Sequence, residues 1–176
     1  MIERIAGQLA TTIKTANPER TSSVEVLKFS LIIVLNAISI VLLTMALGLV
    51  TGTFSETLLV LGGFAFLRFF SGGLHLSSSE WCVVVSTAVL AVIPHLPLDS
   101  YSVWLNGISL AIMLFFAPAK VEEHHRIAQS KTVTFKIICI CIVASNFALG
   151  SEVLAKTFFV QSLLLLPYKK KEVKSQ

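Results

Sequence analysis

His75 and Cys82 stand seven positions apart and combine the residue types of a nucleophile and its base. A cysteine thiolate attacks a carbonyl carbon, while an imidazole within hydrogen-bond reach takes the thiol proton and later returns it to the leaving amine. Such a pair would break an amide bond through a thioester. On an unbroken helix the two residues would share a face but lie about 10 Å apart along the axis, too far for proton transfer. The helix must therefore break between or before them. Gly72 and Gly73 supply backbone freedom ahead of His75, and Ser77, Ser78 and Ser79 favour turns and caps after it. With Ser79 as the cap of the next helix, Glu80, Trp81 and Cys82 fall in its first turn. There the helix dipole and unpaired amides favour a thiolate, and the same amides could face an oxyanion. A cysteine at this position is more often a small packed apolar residue than a nucleophile, so spacing alone leaves the function open.

Arg68 precedes the glycine pair at the end of an apolar block. It can snorkel to the membrane surface, contact a substrate carboxylate, or brace the loop. Glu80 could orient His75, but an acidic residue in a first turn is accounted for by the helix dipole, and it is not counted as catalytic. The other reactive side chains read as structural. Cys139 and Cys141 point to different faces of a helix and make no metal pair, and three cysteines give no disulfide framework. His124 and His125 sit beside Glu122 and Glu123 in a charged loop without a second ligand group at zinc-like spacing. Neither a metal nor a cofactor is expected. His95, between Pro94 and Pro97, reads as the bent end of a span.

The elements that must position this pair are membrane helices. Of 176 residues, 55% are hydrophobic and 14% charged, which places the chain outside ordinary soluble usage. The apolar residues form blocks over 26–50, 54–70, 82–97, 101–117, 133–149 and 153–166, several shorter than the roughly 20 residues that cross a bilayer core. The reading is an all-α polytopic transmembrane helical bundle of about six spans. Residues 1–16 precede it as an amphipathic helix, with Ile2, Ile5, Leu9 and Ile13 at helical spacing; Asn17 and Pro18 end it. Ser22 or Ser23 caps the first span. The chain reads as a single membrane domain over 1–176, with spans in 26–166 and a basic tail at 167–176.

Charge sets the orientation. Of fourteen Lys and Arg residues, all but Lys156 fall on one side if there are six spans, so both termini and the His75–Cys82 segment are expected in the cytoplasm. The net charge of +4 is juxtamembrane and lipid-facing; with no soluble domain to present a groove, no nucleic-acid partner is expected.

The segment Arg68-Phe-Phe-Ser-Gly-Gly-Leu-His75-Leu-Ser-Ser-Ser-Glu-Trp-Cys82 resembles the AgrB family, the membrane peptidases of Gram-positive accessory gene regulator quorum sensing. The amphipathic start, six spans, the Ala117-Pro118-Ala119 exit into a charged loop and the basic tail are similar throughout. The resemblance implies a cell-membrane cysteine endopeptidase with His75 and Cys82 as the catalytic pair. It implies an AgrD-like precursor peptide as substrate, cleaved on its C-terminal side and cyclised to a thiolactone or lactone, and a homodimeric enzyme. Arg68, Gly72 and Gly73 would bind substrate or brace the loop. The rival class is a non-catalytic polytopic transporter or scaffold in peptide export. Against it, no carboxylate lies within the spans, beyond Glu56 at the edge of the second, to form an ion pathway.

The topology is testable with alkaline phosphatase fusions. Fusions at Thr53 or Asp99 are expected to be active, and fusions at Lys131 or Gln176 inactive. Activity at Lys131 would invert the orientation.

Overall fold

A computed structural model describes residues 1–73, 78–118 and 129–166, and all regular structure among them is helical. The helices are α1 (Ile2–Ala16), α2 (Val24–Thr51), α3 (Phe54–Ser71), α4 (Ser79–Val92), α5 (Ser102–Phe116), α6 (Gln129–Leu149) and α7 (Glu152–Leu163). Short 3-10 turns at Ile93–His95 and Asp99–Tyr101 join α4 to α5. Among the described residues, four segments are long and apolar enough to cross a membrane: Val24–Thr51, Phe54–Ser71, Asp99–Phe116 and Thr132–Leu149. These match four of the six expected blocks. The third block forms the shorter apolar helix Ser79–His95, and the sixth yields the 12 residues of α7. Pro94 has no amide to extend the ladder of α4, and beyond Leu163 the chain turns through tighter bonds such as Leu165 N–H to Ser162 O (3.0 Å).

The helix ends follow local chemistry. Ser23, in extended conformation, caps α2 by accepting from the Val26 amide (3.4 Å). Gly52, in left-handed conformation at φ 72°, closes it and lets its amide return to Gly48 O and Leu49 O. At the tight α6–α7 turn, Gly150 takes φ 65° and Ser151 caps α7. Asn146 clamps that turn, donating to Ser151 O (3.0 Å) and accepting from the Ser151 amide (3.2 Å).

The chain packs as two compact units, Met1–Leu61 with His75–His95, and Gly62–Leu74 with Leu96–Gln176. In the first, α2 packs against α1 and α4. Ala6 and Ala10 of α1 are fully buried, whereas Ile5, Leu9 and Ile13 remain about 40% exposed as an uncovered apolar stripe. Small residues thus take the protein contact and large ones are left for lipid. The start of α3 approaches α2 at Gly48, where any side chain would collide with Thr57.

The second unit is built from the rest of α3 with α5, α6 and α7. Its core gathers Leu67, Met113, Ala117, Cys139, Val143, Phe158 and Leu165. Asn106 of α5 donates to Val143 O of α6 (3.0 Å), so this buried amide is satisfied across the helix pair. Lys156 of α7 is 2% exposed. Its ammonium donates to Asp99 Oδ1 (2.8 Å) and Leu96 O (3.0 Å), tying α7 to the α4–α5 connection.

This pair gives a directional prediction. Asp99→Asn leaves a buried ammonium without its counter-charge and should lower the melting temperature, the half-exposed carboxylate being partly screened. Lys156→Met, which removes the buried charge and keeps the volume, should fall within about 1 kcal/mol of the parent. Thermal unfolding in detergent distinguishes the two.

Candidate active site

The start of α4 is built by local bonds. Ser78, at φ −103° and ψ 128°, is the cap residue, and Ser79 already has its place as the first residue of the helix. This moves the boundary one position ahead of the expected Ser79 cap. The Ser78 hydroxyl donates to Glu80 Oε2 (3.3 Å), so it does not cap an amide. The other Glu80 oxygen receives the ammonium of Met1.

Cys82 lies in this first turn as expected. Its amide donates to Ser78 O (3.0 Å), closing the first turn of the ladder. The side chain belongs to the buried face of α4 with Ser79, Val83, Thr87 and Leu90, and the residue is 7% exposed. Trp81 and Val84 lie on the opposite, exposed side. The thiol thus lies on a covered face near a helix N-terminus and is shielded from bulk water. His75 lies outside the described residues, as do His124 and His125.

The end of α3, in the second unit, holds the other expected residues. Gly72 adopts φ 69° and Gly73 φ 142°, both in the region that side chains rarely enter. The Gly72 amide donates to Arg68 O (2.9 Å), completing the last turn before the chain leaves the helix. Arg68 turns inward, its guanidinium 5.7 Å from the Phe64 ring centre and its Nη1 3.5 Å from Gln161 Oε1. A Cβ placed on Gly73 would lie 3.0 Å from Arg68 Nη1 and 3.6 Å from Leu164 O. The glycine pair therefore serves both conformation and close approach. Beside it Phe70 meets Phe66, Phe69 and Phe135 edge to face, with ring centres 5.0–5.7 Å apart.

Arg68, Gly72 and Gly73 thus come together at the end of α3, and Cys82 is placed at the start of α4. Sequence reasoning missed Gln161, which is fully buried on α7 and bonded to the α3 end. A lone amide in an apolar block was the available signal, since a polar group at membrane depth needs a partner. Cys139 is buried in the core and Cys141 exposed, as their two-residue spacing on a helix requires.

A model of the accessory gene regulator B family matches residues 2–166. A protein described as AgrB-like from Halalkalibacterium halodurans is 31% identical over 174 residues, covering 95% of this chain and 88% of the relative. No solved structure matches the chain.

The geometry at Gly73 makes substitution costly on two counts. Gly73→Ala should destabilise the protein by about 1–3 kcal/mol through backbone strain at positive φ, with further loss from contact with Arg68. Gly62→Ala, at a helical position with open space around it, should change unfolding by less than about 1 kcal/mol. Paired melting curves test the contrast.

Proposed function

The chain belongs to the accessory gene regulator B family, and from that premise we propose that it is a membrane-embedded cysteine endopeptidase acting on a short AgrD-like precursor. Family membership itself implies a role in autoinducing-peptide processing. The observation that supports the finer reading is Cys82: a shielded thiol in the first turn of α4, seven residues after His75, following a helix end opened by two positive-φ glycines.

In the proposed reaction His75 accepts the Cys82 thiol proton, and the thiolate adds to a backbone carbonyl of the precursor. Collapse of the tetrahedral intermediate breaks the C–N bond. His75 returns the proton to the departing amine, which leaves with the C-terminal segment. The remaining peptide is held as a thioester on Cys82. An internal thiol or hydroxyl of the same peptide then attacks that thioester, giving its proton to His75 and displacing Cys82 as the thiolate, which is reprotonated. The product is a thiolactone or lactone. Exchange of one thioester for another is nearly isoenergetic, so exclusion of water decides between cyclisation and hydrolysis.

The proposed arrangement completes six spans by counting Ser79–His95 and α7 with the four longer segments. Both termini and the site then face the cytoplasm of a Gram-positive cell, in a homodimer embedded in membrane lipid. Arg68, Gly72 and Gly73 brace the connection that carries His75 or meet the substrate.

The test is co-expression with a short AgrD-like precursor in a heterologous membrane, with products followed by mass spectrometry. Wild type is expected to release the C-terminal segment. Cys82→Ala and His75→Ala should each lose roughly a thousand-fold or more at unchanged membrane level, because the two act as a unit. Cleavage by Cys82→Ala would rule out the cysteine mechanism.

A further inference from the structure

Gln161 sits in the last turn of α7 and is fully buried. A buried amide must find partners for both its N–H groups and its oxygen, and an aliphatic side chain would fill the same space without that demand. Among the described residues, the bonds its side chain makes go to the end of α3. Its Nε2 donates to Gly72 O (2.8 Å) and to Ser71 Oγ (3.0 Å). Its Oε1 accepts from Arg68 Nη1 (3.5 Å). The Ser71 hydroxyl, itself buried, donates to Gly72 O (3.2 Å) and closes the network. Gly73 lies over the same group, since a Cβ there would be 3.5 Å from Gln161 Nε2.

The amide therefore performs three tasks at one point. It satisfies a carbonyl that the end of α3 leaves without a helical partner. It fixes the hydroxyl of the last helical residue. It also sets the direction of the guanidinium on the residue one turn earlier. The partners include Arg68 and the glycine pair, which are the residues expected at the site besides the catalytic pair. We propose that Gln161 is a positioning residue of the peptidase, acting through Arg68 and the Gly72–Gly73 turn and touching neither the substrate nor the reacting atoms. This rests on the peptidase reading given above.

Two variants separate positioning from packing. Gln161→Glu keeps the shape and the acceptor for Arg68, but turns the donor that faces Gly72 O and Ser71 Oγ into an acceptor. Gln161→Met keeps the volume and removes every polar contact. The full chain is reconstituted in liposomes with a synthetic AgrD-like precursor, and kcat, KM and the melting temperature are measured beside wild type and Cys82→Ala. Both Gln161 variants are expected to lose roughly 10- to 100-fold in kcat, as misplacement of about 1 Å at a site does, while KM changes by less than about two-fold and the folded fraction is retained. Combining Arg68→Ala with Gln161→Met should cost less than the product of the two single effects, because both act through one network.

Wild-type kcat in both variants overturns the inference. So does a loss of activity in both that simply tracks a loss of folded protein, which would make Gln161 structural. If wild type leaves the precursor intact, or Cys82→Ala cleaves it, the peptidase reading fails first and takes this inference with it. If those controls hold and the Gln161 variants turn over normally, the positioning role alone is wrong.

Discussion

The carbonyls at the end of a membrane helix have no bulk water to turn to, so a helix that stops at membrane depth needs partners at its last turn. At α3 those partners are named: the Gly72 amide takes Arg68 O, and Gln161 with Ser71 takes Gly72 O. Glycine makes the stop sterically possible, and the α7 amide makes it affordable in an apolar setting. The end of α3 is thus held by a residue nearly ninety positions away in the chain.

The start of α4 solves a different problem by local means. Ser78 supplies an extended residue and a carbonyl for the Cys82 amide, and Glu80 is held by the Ser78 hydroxyl and the Met1 ammonium. These bonds leave the cysteine in the first turn with its side chain on the covered face. That face consists of Ser79, Cys82, Val83, Thr87 and Leu90, at the spacings of three and four by which a helix packs on a neighbour.

The legibility of this chain varied with the range of the interactions involved. The α1 helix, the Ser23 cap, the break at Asn17 and Pro18, and the divergence of Cys139 and Cys141 all depend on residues within a turn of one another, and each is where the pattern puts it. The burial of α1 is subtler. Its apolar periodicity is real, yet the contact with protein is made by Ala6 and Ala10, because small residues allow the backbones to approach while Ile5, Leu9 and Ile13 stay uncovered. The cap of α4 fell one residue earlier than expected, since three successive serines offer the same chemistry and only backbone geometry chooses among them. Block lengths likewise did not settle which apolar stretches become long helices.

By itself the sequence determined that the chain is helical and membrane-bound, and where most helices begin and end. It also determined which short segment combines a cysteine, a histidine and the glycines that let a helix stop. These follow from hydrophobic periodicity, capping residues and charge placement, all of which act between near neighbours. Tertiary structure alone decided that Gln161 holds Gly72, Ser71 and Arg68, that Lys156 finds Asp99 and Leu96 O, and that Cys82 lies on the covered face of α4. A buried polar group announces in sequence that it needs a partner. Which partner it finds depends on how distant helices pack, because hydrogen bonds are short and directional and a shift of one helical turn would exchange every contact.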